Sequence, residues 1–183
     1  GHPPNPADVN LVISELMANP QAVGDSTGEW LEIFNRGADA VDLNGWTLRD
    51  DDTDFHLITA PGGLVIPPLG FLVFARSGDV TVNGGVSADY IYSSFILANS
   101  VDEVVLLDDQ GLEHTRVNYT SGTFPYAAGQ SCELSDLLTT SPGAASSWSA
   151  SQQAFGSGDL GSPGNKGGAT LPPPTSNNDF LRG

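Results

Sequence analysis

Four carboxylates crowd into five positions at Asp50-Asp51-Asp52-Thr53-Asp54, directly after Trp46-Thr47-Leu48-Arg49. Charges that close repel one another, and a hard, oxygen-seeking cation such as Ca²⁺ relieves the repulsion with ligands of the right type. The run lacks the bend glycine and the distant bidentate glutamate of an EF-hand. A second reading therefore stands beside the first: a solvated turn in which Asp50 caps its own backbone. Glu15 and Glu32 form another constellation, each mid-strand among apolar neighbours, Ile13 and Met17 for one and Trp30 and Phe34 for the other. Where the first two strands pair, these carboxylates face each other across the sheet and need a cation, a base or a donor between them. Asn165 or Lys166 is placed to supply that donor. The alternative is that both glutamates stand on a solvated face and tie down neighbouring loop amides. Glu15, Glu32, Asp50, Asp51, Asp52 and Asp54 are thus the candidate Ca²⁺ ligands, and no cofactor is otherwise required.

The remaining reactive groups are sparse. His2, His56 and His114 lie far apart and show neither zinc spacing nor a Ser-His-Asp order. Cys132 is the single cysteine, which rules out an intrachain disulfide and reads as a small core residue. Carboxylate pairs for glycoside hydrolysis are numerous, but an acidic surface offers many by accident. Trp30, Trp46, Trp148, Tyr90, Tyr92, Tyr119 and Tyr126 offer a stacking platform for sugars or, alternatively, core and edge cover; Trp46 with Leu48 reads as core. Asp25, Asp39, Asp42, Asp102, Asp108, Asp109 and Asp159 fall at turns. None of this amounts to a catalytic signature, so the expectation is a module without enzymatic activity.

The elements that would position these residues are strands. Gly28 to Asn35 and Val41 to Leu48 each alternate large and polar residues with period two, separated by the turn formers Arg36-Gly37-Ala38-Asp39-Ala40, and read as consecutive strands of one antiparallel sheet. Further strands are expected at 11–17, 29–34, 45–49, 55–58, 71–75, 89–92, 104–107, 112–119 and 131–134. Val104 to Leu107 and Leu112 to Val117 form a hairpin around Asp108-Asp109-Gln110-Gly111, with Gly111 at positive φ. No sustained helical stripe occurs, and helix is expected only as a short turn near Ser149 to Gln153. Trp148 is expected to cover one open end. The class is all-β, an antiparallel sandwich with Greek-key connections.

These residues also resemble a known family. Leu11-Val12-Ile13-Ser14-Glu15-Leu16-Met17-Ala18-Asn19-Pro20, the run Glu29 to Asn35, Asp42-Leu43-Asn44-Gly45-Trp46, Ile66 to Phe74, Leu97 to Asp108 and the closing Gly161-Ser162-Pro163-Gly164-Asn165 resemble, in order, the lamin tail domain of bacterial secreted and surface proteins. The resemblance implies an immunoglobulin-like sandwich that serves as an accessory or interaction domain, often beside extracellular nucleases or other hydrolases. Coiled-coil heptads are absent from the sequence, so filament assembly is not implied.

Composition narrows the partners. The chain has 183 residues, enough for one core, and 22 Asp plus Glu against 6 Lys plus Arg give a net charge of −16. Such a surface repels polyphosphates and anionic membranes. A protein partner or a linked catalytic domain fits, and carbohydrate is the alternative ligand; direct nucleic-acid binding and a membrane span are not expected. The Gly-, Ser-, Thr- and Asn-rich composition suits an extracellular or cell-surface bacterial protein. Residues 1–9, which begin with a tag-like Gly1-His2, read as a lead-in, 10–166 as the sandwich, and 167–183 as a Pro/Gly/Ser/Asn-rich linker.

Overall fold

The computed structural model describes residues 9–171. In chain order the elements are β1 (Leu11–Met17), one helical turn α1 (Asp25–Gly28), β2 (Trp30–Asn35), β3 (Val41–Asp42), β4 (Thr47–Arg49), β5 (Phe55–Leu57), β6 (Val65–Ile66), β7 (Phe71–Ala75), β8 (Tyr90–Ile91), β9 (Val101–Leu107), β10 (Glu113–Thr120), β11 (Cys132–Leu134) and β12 (Trp148–Ala150). A six-stranded sheet runs β12-β11-β1-β2-β7-β8 and a four-stranded sheet β10-β9-β4-β5, with β3 and β6 paired between them in sequence. The inner faces meet in one core that joins Leu16, Leu31, Ile33 and Phe74 of the first sheet to Leu48, Val104, Leu106 and Val117 of the second. Fully burying an aliphatic side chain of this kind is worth roughly 2 kcal/mol. The result is an immunoglobulin-like β-sandwich.

Three features depart from the sequence reading. The runs at 28–35 and 41–48 do not pair with each other: β2 lies in the six-stranded sheet, Val41–Asp42 pairs with β6, and β4 lies in the other sheet. Gly45, at φ 86°, makes the turn that carries the chain across. Of the segment expected as a helical turn at 149–153, Ser149 and Ala150 belong to strand β12 and 151–153 are irregular, with a short 3-10 turn just before the strand at Ala145–Ser147. The backbone groups of β12 pair with β11, and sheet pairing overrides the weak local preference. Last, β7 and β8 are parallel at the sheet edge, because the long crossover 76–89 returns the chain in the same direction.

The hairpin of β9 and β10 forms as expected, with Gly111 at φ 81°. Trp148 is buried at the edge against Phe124 and donates its indole N–H to Pro142 O at 2.8 Å. Past residue 166, Ala169 is buried and Thr170 N donates to Ser135 O at 2.9 Å, so these residues pack on the body. The expected linker beyond 171, and the lead-in through residue 8, lie outside the described residues.

Candidate functional site

Strand β1 is buried along its whole length, which a sheet with one wet face would not produce. Its register slips between Ile13 and Glu15, leaving Ser14 as the extra residue of a bulge. The slip resets the alternation: Ile13 and Leu16 both reach the main core, while Glu15 turns to the outer face of the six-stranded sheet. Glu15 stands opposite Glu32 on β2 and opposite Glu133 on β11, so three glutamates form a row across neighbouring strands. Met17, Trp30, Val73, Ala75 and Val86 make a second apolar cluster on that face, capped by Phe155 edge-on to Trp30 at 5.8 Å.

The closing segment 161–168 lies over the glutamate row and supplies its backbone donors, with Ser14 and Ser131 adding hydroxyls from the sheet side. Glu15 Oε1 accepts from Ser162 N at 2.8 Å and from Ser131 Oγ at 2.6 Å. Glu32 accepts from Ser14 Oγ at 2.6 Å and from Gly164 N at 2.7 Å. Glu133 Oε1 accepts from Gly168 N at 3.0 Å. Ser162 Oγ sits 2.6 Å from Glu15 Oε2 and 2.9 Å from Glu133 Oε2. A hydroxyl has one proton, so both contacts are hydrogen bonds only when a carboxyl also holds a proton and donates it to the serine oxygen.

Electrostatics point the same way. Burial pushes the Glu15 carboxyl up to about 7, against the pull of its Ser131 and Ser162 donors and with a further push from the Glu133 charge. Glu32 is driven well above the usual carboxylate range by burial and then by the charge of Glu15. The donors are not those expected from sequence. Asn165 Oδ1 accepts from Gly167 N and Lys166 Nζ donates to Ala169 O at 3.4 Å, and neither reaches the glutamates. Nor is the face solvated, since Glu15 and Glu32 are each 1 % exposed. The expectation that they tie down loop amides does describe Ser162 and Gly164. Glu133 was missed, although Cys132 and Leu134 flank it as apolar neighbours flank the other two.

A family model, the Lamin Tail Domain, matches residues 4–121. The chain belongs to that family. Comparison with curated proteins gives no match. The lamin tail domain is a non-catalytic interaction module, and here Glu15 and Glu32 fall inside the matched span while Ser131, Glu133, Ser162 and Gly164 fall beyond it. The strap over the glutamate row is therefore built by the part of this lamin-tail chain that the family model does not cover.

The Asp50 to Asp54 loop belongs to the other sheet, so the two sets of candidate ligands are not brought together. Asp50 Oδ1 accepts from Asp54 N at 3.0 Å, the self-capped turn. Asp51 accepts from both terminal guanidinium nitrogens of Arg116, at 2.6 and 2.9 Å, and those bonds hold its carboxyl below the usual range. Asp52 and Asp54 make no ion pair among the described residues. No group of three or more His, Cys, Asp or Glu arranged to hold a metal ion occurs among the described residues.

The aromatics are largely structural in this lamin tail domain. Trp30, Trp46 and Trp148 are buried, the Tyr119 hydroxyl donates to Ala98 O at 2.7 Å and that of Tyr126 to Asn99 O at 2.9 Å. Asp42 and Asp108 accept amides two residues on, as turn-makers do, whereas Asp102 lies inside β9 and accepts from Ala98 N, and Asp159 ties down the distant amides of Gln21 and Ala22. His114 pairs with Asp108 at 2.9 Å and stacks on Trp46 at 4.7 Å, both partners buried. Cys132 is buried, and desolvation pushes its thiol up, away from reactivity. One polar contact had no sequence signal: Glu29 accepts from Leu97 N at 3.2 Å and from Arg76 at 3.4 Å, and burial outweighs both to push its carboxyl up to about 7.

Proposed function

We propose that this lamin-tail chain is an accessory interaction module of a bacterial secreted or cell-surface protein, one that positions a linked catalytic domain by contacting a protein partner, and that it needs no metal to fold. The observation that carries the reading is where the polar groups go. The buried carboxylates hold loops and strap in place through short hydrogen bonds, while the chain as a whole has a formal net charge of −16, and the resulting excess of exposed carboxylates attracts cationic surfaces and repels polyphosphates. The composition, low in Lys and Arg and rich in Gly, supports an extracellular setting. No helix among the described residues is long and apolar enough to cross a membrane.

The test offers the purified chain DNA, RNA and polysaccharide, and in parallel cross-links it on the surface of cells that produce it. Intact substrates together with repeated capture of one protein on the outside of the cell are the expected result. Hydrolysis by the isolated chain, or a partner found only inside the cell, overturns the reading.

A further inference from the structure

The two edge strands of the four-stranded sheet are treated differently. At the β10 edge the exposed side chains are polar, Glu113 ion-paired with Arg116 and then Asn118 and Thr120, while Thr115 Oγ1 accepts from Ile13 N of the facing sheet at 3.3 Å. The β5 edge is open. Asp50 N donates to Asp54 O and Ile58 N to Trp46 O, which fixes the hydrogen-bonded pairs with β4 at alternate residues. Phe55 and Leu57 fall between those pairs, so their N–H and C=O groups point away from β4, the Leu57 carbonyl accepting only a long bond from Thr59 Oγ1 at 3.4 Å. Between them, the half-buried His56 bonds Tyr90 Oη at 2.8 Å and Ser93 O at 2.9 Å, tying β5 to the segment that faces its edge.

An exposed strand edge is a template for another strand, and soluble proteins ordinarily blunt it with charge or cover. Here the edge side chains are apolar: Phe55 is 60 % and Leu57 53 % exposed, and Ile96 on the facing segment is 47 % exposed. A groove of about 560 Å³ runs between β5 and Ser94 to Ile96, with Asp54 in its wall and Arg76, which is paired with Glu29, on the other side. A second cleft, about 310 Å³, opens on the other flank of Phe55 and is lined by Arg49, Asp52 and Asp54. Asp52 and Asp54 have no cationic partner among the described residues, and the chain as a whole is strongly anionic. A second copy of this chain carries the same excess charge and is disfavoured at the edge. A basic segment is favoured.

We infer that β5 takes up an extended segment of a partner protein, with Lys or Arg at alternate positions and apolar residues between, as a fifth strand beside Phe55–Leu57. The backbone bonds come from Phe55 and Leu57, the apolar side chains of the guest pack on Phe55 and Ile96, and its cations meet Asp52 and Asp54. This rests on the interaction-module reading and names its surface.

The probe is a capped peptide of alternating Lys and Val, titrated into the isotope-labelled 183-residue chain while amide shifts are followed. Saturating shifts at Phe55, Leu57 and Ile96 are expected. Substituting Glu for Lys in the peptide, or N-methylating its valines, weakens binding by roughly tenfold or more. Leu57→Pro does the same without a change in unfolding midpoint, because that N–H takes no part in the β4 ladder. If Leu57→Pro does not fold, Phe55→Ser replaces it and lowers affinity at least severalfold. The inference is overturned by no binding at millimolar peptide, by shifts spread over the acidic surface without saturation, or by undiminished binding to a folded variant. Concentration-dependent shifts at the same residues without peptide would assign the edge to a second copy and also overturn it. A partner captured on cells equally well by Leu57→Pro removes this surface while leaving the module reading standing; hydrolytic activity of the chain removes the module reading itself.

Discussion

Replacing Glu15 by Gln should make the protein more stable above neutral pH and leave it nearly unchanged in mild acid. In the unfolded chain this carboxyl ionises near its ordinary value of 4.5, whereas burial holds the proton in the folded state up to about 7. Between those values the folded state binds more protons than the unfolded state, so stability is fully present below about 4.5 and is lost as pH rises through about 7. At roughly 1.4 kcal/mol per pH unit of displacement, the loss from this one group is about 3 kcal/mol. Gln reproduces the protonated carboxyl: its oxygen accepts from Ser131 Oγ and Ser162 N, and its amide donates to Ser162 Oγ, freeing that hydroxyl to donate to Glu133. Urea unfolding at about pH 5 and about pH 8 measures both proteins on a common scale. The expected outcome is a variant within roughly 1 kcal/mol of the parent at the lower pH and more stable by about 2 to 3 kcal/mol at the higher. A variant destabilised equally at both values would refute the reasoning, since it would mean that Glu15 is ionised in the fold throughout.

Other consequences of the strap can be checked in the same assay. Ser162→Ala removes the hydroxyl between Glu15 and Glu133 and should cost roughly 1.5–3 kcal/mol, more at the higher pH where the carboxylates are charged; an effect below roughly 0.5 kcal/mol would show the contact to be slack. Gly161→Ala places a methyl 2.9 Å from the Trp30 ring, 3.0 Å from Phe155 and 3.2 Å from Glu15 Oε1, and overpacking of that kind costs about 1–3 kcal/mol by thermal or urea unfolding. Thermal unfolding with millimolar Ca²⁺ and with chelator should give the same midpoint, since a cation held only by the native state would raise it by mass action.

The sandwich was legible because its central strands announce themselves in period two. Leu31 and Ile33 on β2, and Val104 and Leu106 on β9, alternate with residues of the opposite face, and turn formers punctuate them. Reading Glu15 opposite Glu32 also came through, because pairing of the first two strands follows from their order along the chain. What lay across the glutamates did not. Ser162 and Gly164 reach them from far along the sequence, and two of the donors are backbone N–H groups, which every residue but proline possesses and which leave no mark in composition. The assignment of 28–35 and 41–48 to one sheet failed for a related reason. Period two fixes which residues share a face, while Gly45 and the side-chain bonds of Asn35 to Asp39 O and Ile66 O fix which sheet the strand joins.

The central claim is that residues past the family-matched span complete the fold by bonding to buried carboxylates. Native-state amide hydrogen exchange tests it most directly, because Ser162 N and Gly164 N lie in turns without ladder partners and owe any protection to Glu15 and Glu32. The account predicts that both amides exchange as slowly as those of β1 and β2. Exchange of either at the rate of an open loop, with β1 and β2 still protected, would contradict it.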